Sequence, residues 1–122
     1  LSAVLGAHLH ANKDRLMAHP SVAAVRGQGL FMVLELVKDK ETWEFFPPNI
    51  EAERLLQTIA INNGLIFYST LYTRKQRPLF RRGILAFISP PLTITESELD
   101  DMVDRIDLTL TDWERKLGLH HP

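Results

Sequence analysis

A chain of 122 residues, 45% apolar and 24% charged, is long enough for one globular core and leaves no length for a second domain. Its formal charge of -1 gives no overall pull toward nucleic acid or a membrane surface, and the absence of cysteine excludes a disulfide framework and thiolate metal centres. No apolar run reaches the roughly 18 residues a spanning helix needs, and "LSAVLGAHLHANKDRL" lacks the basic start and long apolar stretch of a secretion signal, so the expected compartment is the cytoplasm.

Leu1, Val4, Leu5, Leu9 and Leu16 recur at helical spacing and predict a helix from Leu1 to about Ala18, stopped by His19-Pro20. No capping residue precedes Leu1 and there is no initiator methionine, so residues 1–18 read as the tail of a linking helix in a longer polypeptide. After Ser21 to Arg26, the Gly27-Gln28-Gly29 turn leads into a strand from Leu30 to Val37. A polar connector ends at Pro47-Pro48-Asn49, where Asn49 is the expected N-cap of a helix over Ile50 to Asn62. Asn63-Gly64 supplies a left-handed stop, and Leu65 to Tyr68 reads as a short strand.

Beyond a basic loop, Ile84 to Ser89 predicts a buried strand that Pro90-Pro91 ends. Thr95-Glu96-Ser97-Glu98 is a capping box, and Leu99, Met102, Val103, Ile106, Leu110, Trp113 and Leu117 follow at steps of three and four. Asp100, Asp101, Asp104, Asp107 and Asp112 fall on the other side of that helix and read as a solvated surface. The order of elements predicts an α+β fold, a two-layer single domain over 1–122 with helices packed on a mostly antiparallel sheet.

The chemistry is sparse. Gly27 and Gly29 lack the third glycine of a dinucleotide-binding loop and precede a strand where that loop needs a helix, so they shape a tight turn. Glu35 stands among Phe31, Val33 and Val37 on one strand face, where a carboxylate needs a cation or backbone donors; Arg26 is the nearest candidate. "TRKQRPLFRRG" places Arg74, Lys75, Arg77, Arg81 and Arg82 ahead of the Ile84 strand. Few aromatics interleave with these cations, which argues against nucleic acid, whereas a guanidinium at a strand mouth suits a substrate carboxylate; Arg81 and Arg82 are the candidates. His8 and His10 are two apart on a helix, so no metal-binding set is expected, and no serine sits in a nucleophile elbow.

"HPSVAAVRGQGLFMVLELVKDK", "NNGLIFY" and "ISPPLTITESELDDMVDRIDLTL", in that order, resemble the carboxy-terminal small domain of class III pyridoxal-phosphate-dependent aminotransferases, of fold type I. The pieces that carry the resemblance are Arg26, Gly27, Gly29, Leu30 and Glu35, then Ser89, Pro90, Pro91 and Leu92 before the acidic amphipathic helix. It implies an enzyme that moves an amino group from an amine or ω-amino acid donor to an α-keto acid through a lysine Schiff base with pyridoxal 5'-phosphate. The lysine and the cofactor-binding residues would lie in an absent large domain, so no catalytic or cofactor-binding residue is expected here and the segment alone should be inert. Its own share would be to close the site and to hold substrate carboxylate through Arg81 or Arg82. The resemblance further implies a homodimer as the full-length protein. The alternative is a freestanding α+β regulatory or anion-binding domain that uses the same arginines.

Overall fold

The computed structural model describes residues 2–72 and 83–119. Its elements are α1 (Ser2–His10), α2 (Lys13–Met17), β1 (Val22–Arg26), β2 (Met32–Leu36), α3 (Ala52–Asn62), β3 (Tyr68–Tyr72), β4 (Gly83–Ile88) and α4 (Glu96–Lys116). The four strands form one sheet in the order β1-β2-β4-β3, and every adjacent pair is antiparallel. This is the α+β, two-layer arrangement that the sequence predicts.

Alternation along the strands sends one set of side chains to the helices. Met32, Leu34 and Leu36 of β2 and Ile84, Ala86 and Ile88 of β4 are buried with Leu56 and Ile59 of α3 and with Leu99, Val103, Ile106, Leu110 and Trp113 of α4. Leu9 of α1 and Leu16 of α2 close one side of the same cluster. Trp113 is fully buried, meets Phe46 edge-on at 5.2 Å and donates its indole N–H to the Ala52 carbonyl at 2.8 Å. A capping box starts α4: Glu98 N donates to Thr95 Oγ1 at 3.1 Å, and Thr95 N to Glu98 Oε1 at 2.9 Å. The backbone bond from Thr95 is the largest influence holding the Glu98 carboxyl below its ordinary range.

The local readings need three corrections. The helix expected over the first 18 residues is two helices, because Asn12 Nδ2 donates to the His8 carbonyl at 3.1 Å and so competes with the backbone ladder. Leu65, Ile66 and Phe67, expected in a strand with Tyr68, are not part of one. Leu65 N returns to the Ala60 carbonyl at 2.8 Å beyond Gly64, at φ 73°, which closes α3 and delays β3 to Tyr68. Asn49 does not cap α3: Pro48–Ile50 forms a 3₁₀ turn, Glu51 takes a left-handed φ of 52°, and the helix starts at Ala52.

Candidate functional site

The sheet face turned away from α3 and α4 carries Arg26, Val33, Glu35, Tyr68, Tyr72, Gly83, Leu85 and Phe87, which the registers place side by side. Phe31 stacks on Phe87 with ring centroids 6.3 Å apart, and Phe31 and Tyr68 remain exposed. At the other end of this face Glu35 is buried, and the structure brings Arg26 to it as an ion pair whose guanidinium is largely exposed. From β3 the Tyr72 hydroxyl donates to Glu35 Oε2 at 2.7 Å, crossing the intervening strand β4.

That crossing requires Gly83. It sits opposite Tyr72 in the register, and a Cβ there would overlap the Tyr72 ring, with the phenol oxygen only 2.8 Å away. The turn between β1 and β2 has a different need. Gly27 has φ 130° and a Cβ there would run into the Phe31 carbonyl, whereas Gly29, at φ 59°, has open space around it.

Pro90 and Pro91, just after β4, line a groove of about 480 Å³ together with Phe67, Phe87, Met102 and Arg105. Arg81 and Arg82, and with them Arg74, Lys75 and Arg77, lie outside the described residues. Among the described residues no group of three or more His, Asp or Glu side chains is arranged to hold a metal ion, and no helix is long and apolar enough to cross a membrane.

Sequence reasoning missed a second constellation, where α2 and β1 meet α4. His19 is buried, with Nε2 2.5 Å from Asp107 Oδ1 and Nδ1 2.8 Å from Glu114 Oε1. Glu114 has no exposure, and its Oε2 accepts from Ser21 N at 3.0 Å and Ser21 Oγ at 2.5 Å. Burial opposes a charge on His19, but the hydrogen bonds and negative charge of Glu114 and Asp107 outweigh it and raise the imidazole pKa above its ordinary value. Burial likewise opposes charge on Asp107, yet His19 and Arg15 bring its carboxyl below the usual range. The signal was present: Glu114 lies four residues after Leu110, within the apolar stripe of α4, and a carboxylate there calls for a buried partner.

The acidic face of α4 is thus more than a solvated surface. Asp100 meets His8, Asp104 and Asp107 meet Arg15, and Asp101 pairs with Arg105.

The antiparallel sheet backed by helices, with Ser89, Pro90 and Pro91 lining the groove after β4, can be set beside known proteins. The chain is 36% identical over 107 residues to an aminotransferase of Schizosaccharomyces pombe, covering 88% of this chain and 22% of that protein. It is 32% identical over 111 residues to the taurine–pyruvate aminotransferase of Bilophila wadsworthia, covering 91% of this chain and 23% of that one. A putrescine–pyruvate aminotransferase of Pseudomonas aeruginosa is 32% identical over 96 residues, 79% of this chain and 18% of that one. The fold matches an (S)-enantioselective omega-transaminase from Thermomicrobium roseum at TM-score 0.72 and 30% identity, covering 92% of this chain and 22% of that one. No known family profile matches. By sequence and fold, then, the chain is the counterpart of the carboxy-terminal small domain of class III pyridoxal-phosphate-dependent aminotransferases. It spans about a fifth of the length of the curated relatives it matches.

Lys40 Nζ donates to the Met17 and His19 carbonyls at 2.7 and 3.2 Å, and Lys38 faces Glu44 at 3.5 Å.

Proposed function

We propose that this chain is the carboxy-terminal part of an aminotransferase that moves an amino group from an amine or ω-amino acid to an α-keto acid, with pyridoxal 5'-phosphate held by a large domain of the same polypeptide. Residues 1–122 act as one unit, and the segment that folds as α1 and α2 links it to that large domain. The observation that carries the reading is the match over 91% of this chain to an aminotransferase of which it spans only 23%. The segment covers the active site, and Arg81 or Arg82 holds the carboxylate of the substrate, for which a planar two-pronged donor is the fitting partner. The lysine that bears the cofactor lies in the large domain, so the 122-residue chain alone is inactive. The full-length enzyme works in the cytoplasm as a homodimer.

The test is to express the longer polypeptide from the same source and measure bound pyridoxal phosphate and amine-dependent conversion of pyruvate to alanine. Cofactor in the longer protein, turnover there, and neither in the 122-residue chain are the expected results. A longer protein free of cofactor and without turnover would overturn the reading in favour of a regulatory, anion-binding domain.

A further inference from the structure

Three cations of the leading helices and the turn after them meet one row of carboxylates on α4. His8 lies 2.5 Å from Asp100 and 3.5 Å from Glu96; Arg15 lies 2.9 Å from Asp104 and 3.1 Å from Asp107; His19 lies 2.5 Å from Asp107 and 2.8 Å from Glu114. The acids follow at steps of four, four, three and seven, which keeps them along one side of a helix. Two of the three cations are imidazoles, whose charge is set by pH; the third, Arg15, is permanent.

His19 shows what the seam requires. A neutral imidazole carries one N–H, so it would point a lone pair at either Asp107 or Glu114; only the imidazolium donates to both. Ser21 fixes Glu114 from the other side, so that carboxylate is held facing the ring. Two further charges bear on the ring: the Lys40 ammonium, 3.2 Å from the His19 carbonyl, opposes its protonation, and Arg15 shares Asp107 with it. The hydrogen bonds to both acids prevail, and His8, with Asp100 as the largest influence, is shifted upward as well.

We propose that the seam between the α1–α2 segment and α4 is a proton-dependent clasp, closed while His8 and His19 are protonated and released when they lose their protons. The clasp is independent of the enzymatic reading, since it needs only residues present in this chain. The sign follows from linkage. A group whose pKa is raised by folding contributes stability that is whole below the unfolded value of about 6.5 and is lost as pH rises through the folded value. Within that window each such proton changes the folding constant by up to about tenfold per pH unit.

The experiment follows histidine ring ¹⁵N signals and backbone amide exchange of the unmodified 122-residue chain from about pH 5 to about pH 9. The expected result is a His19 ring protonated on both nitrogens past about pH 6.5, with exchange in residues 2–17 rising as that signal titrates while β2 and β4 stay protected. His8→Gln should raise exchange in α1 at low pH by several-fold. A His19 ring singly protonated at about pH 6, or exchange in residues 2–17 that ignores its titration, would overturn the proposal.

Discussion

Tyr72 reaches Glu35 across a strand that belongs to neither residue, and it does so at 2.7 Å because Gly83 leaves the path empty. Three strands are thereby tied by one buried carboxylate, with Arg26 holding it from β1. Tyr72→Phe removes one donor while Glu35 keeps others, so the expected loss is about 1 kcal/mol in a denaturant titration. Gly83→Ala should cost more, since the added methyl displaces the ring as well as the hydroxyl. In a Tyr72→Ala background the same Gly83→Ala change should become nearly neutral, giving a coupling of at least about 0.5 kcal/mol. Additive effects would show that the ring is not what Gly83 accommodates.

The two glycines of the β1–β2 turn should respond differently. Gly29→Ala meets only backbone strain, about 1 kcal/mol, because nothing lies near its missing side chain. Gly27→Ala meets strain and the Phe31 carbonyl together and should destabilise by several times as much. Thermal midpoints of the two variants decide the matter, and equal shifts would contradict the turn geometry.

Glu114 and Asp101 are both acids of α4 with partners, yet their removal should differ greatly. Glu114→Ala strands the Ser21 amide and hydroxyl and the buried His19 ring, which predicts a loss of about 3–5 kcal/mol. Asp101→Ala breaks an exposed pair with Arg105 and should cost less than about 1 kcal/mol. Urea unfolding at neutral pH measures both; a Glu114 variant as stable as the Asp101 variant would remove the case for a buried junction.

The proposed carboxylate role of Arg81 or Arg82 predicts that, in the longer polypeptide, alanine at one of the two raises KM for a keto acid about tenfold or more. The KM of an amine donor without a carboxylate should change little. Parallel changes for both substrates, or none for either arginine, would dismiss the carboxylate role.

How much of this could be read beforehand depended on how local its cause was. The alternation of Met32, Leu34 and Leu36 and the Thr95–Glu98 box are properties of a few neighbouring residues, and they gave the sheet and α4 directly. The break at Asn12 and the delayed start of β3 hinge on single side-chain and backbone bonds that compete with an equally plausible regular continuation. The junction of His19 with Glu114 joins residues 95 positions apart, and His19-Pro20 read by itself is only a helix stop. Arg81 and Arg82 were legible as a charge cluster; their setting lies outside the described residues.

The contact of Lys40 with the Met17 and His19 carbonyls has a consequence for the beginning of the chain. At five residues, α2 is too short to persist alone in water, and its carboxyl end is closed by a side chain from another part of the sequence. The amino-terminal segment therefore does not carry its own shape. The last turn of α2 is completed by a residue more than twenty positions further along, so its helical shape is a product of the tertiary fold.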